Sequence, residues 1–147
     1  MRAARAIRAW VVAAALVVGT HASADVTAPA PAGMRWRTDA AAAEREAASA
    51  KRPLLVFFSA EWCMPCKEME RRSFSDPAVA ALIARRFVPL LVDVTNDDDA
   101  RATALRDRFA VKALPTLVVR DGKDERLRLE SFTPAPELRA ALERSLR

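Results

Sequence analysis

Residues Leu54 to Glu70 read LLVFFSAEWCMPCKEME. The first five form a continuous apolar run closed off by Pro53 and Ser59. A run of that length with those flanks predicts a strand buried on both faces. The only two cysteines of the chain follow it, Cys63 and Cys66. Cys63 stands where the predicted strand gives way to a predicted helix, and Pro65 stiffens that helix's first turn.

Four chemistries use a CxxC pair. A c-type haem tether needs His after the second cysteine, and that position is Lys67. A structural zinc site needs four ligands. The single His, His21, lies in the expected signal peptide, so no metal is expected. A structural staple stabilises by closing a long loop of the unfolded chain, and two intervening residues close almost none. A redox pair has a mechanism. A thiolate at Cys63 would meet the positive end of a helix dipole and unpaired N–H groups, which lowers a thiol pKa and makes it the nucleophile. Cys66, on the same helical face and one turn deeper, can reach that sulfur and resolve a mixed disulfide. On this reading Cys63 is exposed and Cys66 shielded. Trp62 is expected at the rim of the site rather than in the core, and Met64 on its contact surface.

Working outward, Thr38-Asp39 caps an alanine-rich helix to about Ala50. Asp76-Pro77 reads as an N-cap with proline at the first helical position, and Val79, Leu82 and Ile83 follow at helical spacing. FVPLLVDV, from Phe87, is a second strand. Asn96 and the three aspartates after it open another helix carrying Leu105 and Phe109. TLVVR, from Thr116, is a third strand. Asp121-Gly122 signals a hairpin into a return strand over Arg126 to Ser131. Thr133-Pro134 caps a last helix bearing Leu138, Ala141, Leu142 and Leu146. Right-handed crossovers make the first two strands parallel neighbours, and the hairpin adds an antiparallel pair. The fold class is α/β: a central mixed β-sheet with helices on both faces.

The N-terminus reads as a targeting segment. Arg2, Arg5 and Arg8 precede the apolar run WVVAAALVVG, and Ala22-Ser23-Ala24 fits the small-x-small cleavage rule. Ten residues are too few to span a bilayer, which takes roughly 20. Residues 1–24 are therefore expected to be a cleaved signal peptide, residues 25–35 a flexible Pro- and Ala-rich leader, and residues 36–147 one domain. The formal charge of +5 falls to about +2 without the three signal-peptide arginines. The remaining charges are interspersed, which argues against nucleic acid as a partner.

WCMPCK after a buried strand, with Leu114-Pro115-Thr116 ahead of a later one, resembles the thioredoxin superfamily from about Trp36 to Leu146. AEWC, CKE and FSDP, which begins at Phe74, most resemble the periplasmic thioredoxin-like domain of the DsbD disulfide reductants. The resemblance implies the thioredoxin fold and no cofactor. It implies a cis peptide bond at Pro115, facing a Cys63–Cys66 redox disulfide, and a substrate strand paired to the backbone of Leu114, beside the Trp62 rim. It implies a periplasmic oxidoreductase, here expected to be monomeric, that reduces protein disulfides with electrons from a separate membrane donor. A thiol oxidant or isomerase of the same fold, and a non-catalytic binding module, remain open alternatives. The sequence departs from the family at Phe57, where a buried Asp six residues before the first cysteine is usual. Glu70 shares the helical face of Cys63 and Cys66 and is the candidate replacement as proton acceptor. Its other reading is a solvated glutamate in a charged helix.

Overall fold

The computed structural model describes residues 34–147. The expected signal peptide, with His21, and most of the expected leader lie outside those residues. Within them the elements run α1 (Ala40–Ala50), β1 (Leu54–Ser59), α2 (Met64–Met69), α3 (Pro77–Arg86), β2 (Val88–Asp93), α4 (Ala100–Arg108), β3 (Thr116–Asp121), β4 (Asp124–Leu129) and α5 (Ala135–Ser145). The four strands form one mixed sheet in the order β2-β1-β3-β4. β1 pairs parallel with β2 and antiparallel with β3. The thioredoxin fold expected from the sequence is the fold observed.

β1 is central, and all six of its residues are buried. Its side chains alternate between two cores, as strand geometry requires. On one face the Phe57 ring packs against Trp36 and Phe74, at centroid distances of 5.8 and 4.8 Å. On the other, Phe58 meets Phe109 at 5.6 Å. The Phe57 face is covered by α2, α3 and α5. The Phe58 face is covered by α1 and α4, which a Glu44–Arg108 ion pair ties together. Packing begins ahead of the expected boundary at Trp36, because Met34 is already buried. Arg37 pairs with the β2 edge, its N–H donating to Pro89 O and its carbonyl accepting from Leu91 N–H. That covers an edge which would otherwise present unpaired backbone groups.

Local chemistry sets the element ends. Asp39 and Asp76 cap α1 and α3 through their carboxylates. Several boundaries differ from the sequence reading, β4 among them, which ends at Leu129 rather than Ser131. Asn96 forms a turn with Asp98 and Asp99, so the cap of α4 is Asp99, whose carboxylate accepts from Arg101 and Ala102 N–H. The tight turn of the hairpin is Gly122-Lys123, with Asp121 paired to Asp124, and Gly122 takes the positive φ (60°) that such a turn demands. β4 therefore starts two residues before the expected Arg126, and a register shift at Val119/Arg120 rephases the pair. The N-cap of α5 is Pro134, with no side-chain cap, while the Thr133 hydroxyl bonds Ser131 O.

Candidate active site

The CxxC segment sits where β1 delivers the chain into α2. Cys63 is the N-cap of α2, in extended conformation, and its Sγ accepts the Cys66 N–H at 3.2 Å. A sulfur placed there meets the N–H groups that a helix start leaves unpaired. Cys63 and Cys66 are joined as a disulfide. Cys63 keeps only 4% of its surface and Cys66 none. The order of shielding follows the sequence reading, but Cys63 is far less exposed than expected. In the oxidised state its sulfur is turned in over the first turn of α2, on the Cys66 N–H.

Exposure lies instead with the flanking residues. Trp62 and Met64 are 63% and 67% exposed, the only large apolar side chains so displayed among the described residues. They flank Cys63 on either side in the chain. Trp62 does not hang free. Its indole N–H donates to Thr95 O at 3.3 Å, and the Thr95 hydroxyl accepts the Glu61 N–H at 2.8 Å. Thr95 is itself fixed by Asp93, whose carboxylate accepts from both the Thr95 N–H and the Thr95 hydroxyl. The end of β2 thus holds the turn that presents the cysteines. Asp93 and Thr95 were not singled out from the sequence. Their one signal is a polar pair closing an apolar strand, which many strand ends share.

The Leu114–Pro115 peptide bond is cis. Pro115 is buried and Leu114 partly so, directly before β3. The β1–β3 register ends at Phe58 opposite Thr116. One step further, Pro115 stands across from Ser59, at the end of the sheet from which Cys63 emerges. The Thr116 hydroxyl closes the segment by donating to Ala113 O at 2.7 Å.

Glu70 follows α2, where the helix widens into a π-helical turn over Glu70–Phe74. That turn is absent from the sequence reading. The side chain of Glu70 is 20% exposed. Its Oε1 accepts from the buried Ser59 hydroxyl at 2.9 Å, and its Oε2 lies 3.3 Å from the Lys67 ammonium. The solvated charge of this segment belongs to Glu68. It bonds Arg71 and Arg72, and the two guanidiniums hold its carboxyl below the usual range, Arg72 contributing most. At position 57 the Phe ring packs against Trp36 and Phe74, which also touch each other.

A thioredoxin-like domain family model matches residues 40–146. The chain belongs to the thioredoxin-like domain family. Its sequence is 39% identical over 106 residues to the thiol:disulfide interchange protein DsbD of Ralstonia nicotianae, a match covering 71% of this chain and 17% of that protein. The chain thus spans a small fraction of the length of the curated relatives it matches. Among solved structures it is similar to a thioredoxin from Thermus thermophilus, with a TM-score of 0.68 and 30% identity over 78% of this chain and 88% of that one. It is also similar to the oxidised C-terminal domain of Neisseria meningitidis DsbD, with a TM-score of 0.62 and 25% identity over 75% of this chain and 98% of that one. The likeness is to a DsbD-like thioredoxin domain, and the Cys63–Cys66 pair at the start of α2 is the equipment of a thiol–disulfide oxidoreductase.

Proposed function

We propose that this thioredoxin-like domain is exported to the periplasm and there reduces protein disulfides as a monomer, recharged by a separate membrane dithiol donor. The observation that carries the reading is the Cys63–Cys66 disulfide at the mouth of α2, with Pro115 opposite the end of β1, in a domain similar to part of DsbD. The signal-like N-terminus supports export. The periplasm is kept oxidising, so a reductant working there depends on delivered electrons.

The cycle follows from the placement of the residues. Reduced Cys63, as thiolate at the α2 N-cap, attacks one sulfur of a substrate disulfide. That S–S bond breaks, one substrate thiolate leaves, and a Cys63–substrate mixed disulfide forms. The substrate segment lies along Leu114, whose backbone precedes Pro115, as an added strand, and packs on Trp62. Cys66 passes its proton to Glu70 and attacks the Cys63 sulfur. The second substrate thiolate departs, the Cys63–Cys66 disulfide closes, and the substrate has gained two electrons. A donor dithiol then returns the pair to the reduced state.

Replacing Cys66 by alanine tests this scheme in cells. The variant still attacks but has no second thiolate within reach, so mixed disulfides through Cys63 should accumulate and survive non-reducing gels. Identified by mass spectrometry, they should be periplasmic proteins with disulfides. If the exported Cys66→Ala protein forms no adducts, the exchange reading gives way to a binding module.

A further inference from the structure

The alternation of β1 places Phe57 and Ser59 on the same face of the sheet, toward α2 and the π-helical turn. At position 57 that face holds an aromatic ring, packed in a three-ring cluster with Trp36 and Phe74. Two residues on, it holds a hydroxyl. Ser59 is 4% exposed, and its Oγ donates to Glu70 Oε1 at 2.9 Å. Its carbonyl accepts from the Val94 N–H at 2.9 Å, which ties this end of β1 to the end of β2. The Glu70 N–H donates to both Cys66 O and Lys67 O, so Glu70 closes the turn that begins at Cys66. The Cys66 and Glu70 side chains stand one turn apart on one face, with Cβ atoms about 5–6 Å from each other. Lys67 reaches the other carboxylate oxygen, Oε2, and is the charged group bonded to Glu70 among the described residues. The two arginines nearest in sequence, Arg71 and Arg72, are engaged by Glu68 instead.

We propose that Ser59 is a positioning residue for thiol–disulfide exchange: its buried hydroxyl fixes the Glu70 carboxylate one helical turn from Cys66, and the two together stand in for the acid absent at Phe57. The inference rests on the reading of Glu70 as proton acceptor. A glutamate side chain is otherwise rotamer-rich, and an anchor from the sheet removes that freedom before the reaction begins. In the resolving step the Cys66 S–H bond breaks and its proton passes to a Glu70 oxygen. The Cys66 thiolate then bonds the Cys63 sulfur as the Cys63–substrate bond breaks, and the electron pair leaves with the substrate thiolate. Ser59 neither gains nor loses a proton.

The test is a stopped-flow reaction of the full domain, reduced, with oxidised glutathione, following release of the second glutathione from about pH 6 to about pH 10. Ser59→Ala should slow that release about three- to tenfold near neutral pH, the loss of one oriented hydrogen bond. Glu70→Gln should slow it at least as much. The double variant should be no slower than Glu70→Gln alone, because both changes remove one device. The deficit should shrink near about pH 10, where solvent deprotonates the thiol. If Glu70→Gln is slow while Ser59→Ala keeps the normal rate, Ser59 has no role in positioning. The same follows if Ser59→Ala slows the double variant by its full factor, or if it shifts only the urea midpoint. Normal release by Glu70→Gln near neutral pH overturns the Glu70 reading itself, and the Ser59 inference with it.

Discussion

Cys63→Ala should leave a folded domain with no catalysed disulfide reduction, a loss of roughly three orders of magnitude or more, the scale seen when a covalent nucleophile is removed. Cys66 does not take over. It is fully buried, whereas Cys63 retains its strip of surface at the N-cap beside exposed Trp62 and Met64. Its own sulfur lies in the helix body, without the N-cap position that activates Cys63. Turnover of insulin disulfides under a chemical reductant measures the effect. The fold should survive, because a bridge spanning two residues constrains the unfolded chain very little. Residual activity within tenfold of the parent would show Cys66 to be a competent nucleophile and contradict the ordered mechanism.

Phe57→Asp should destabilise the domain by about 4 kcal/mol or more. Truncating a buried Phe costs about 3–5 kcal/mol, and an unpaired carboxylate in the same space adds to it. Position 57 is fully buried, flanked by Trp36 and Phe74 and enclosed by the sheet. Set against a typical total of about 5–15 kcal/mol, the loss takes much of the stability. The family's usual acid therefore cannot be restored here by one substitution, since the aromatic cluster has claimed its site. Urea unfolding followed by tryptophan fluorescence gives the number, with Trp36 as a reporter inside the cluster. A loss below about 1 kcal/mol would mean that the pocket at position 57 admits a charge and water, contrary to the packing observed.

The parts of the fold legible in the sequence are those written in local chemistry. LLVFF is apolar without alternation because β1 has helices on both faces. Asp39 and Asp76 cap their helices because a carboxylate before the first turn finds free N–H groups there. Where several residues can do the same job, the sequence does not choose between them. Asn96 and the aspartates that follow are all able caps, and the turn geometry selects Asp99. Asp121-Gly122 marks the hairpin correctly but not its phase, which the Val119/Arg120 register shift decides. The π-helical turn after Met69 leaves no mark in composition.

At the site the cysteine pair was legible from its spacing, whereas the cis bond at Pro115 came only from the family resemblance. The supports were not legible. Thr95 meets Trp62 and Glu61 from more than thirty residues away, through the pairing of β1 with β2. Glu70 reads from its spacing as either inner or solvated. Ser59, on the inner face of β1, draws it toward the sheet, while Glu68 keeps the arginines outside. Such a choice is made by tertiary contacts and not by helical period.

As proposed, Cys63–Cys66 is a reversible couple poised for reduction. Equilibration of the domain with glutathione buffers, read as the oxidised fraction by alkylation and mass, tests it directly. Full two-electron cycling is expected at a potential toward the thioredoxin end, about −270 mV. A couple near about −120 mV would make the protein a thiol oxidant, and a pair that does not cycle would contradict the account altogether.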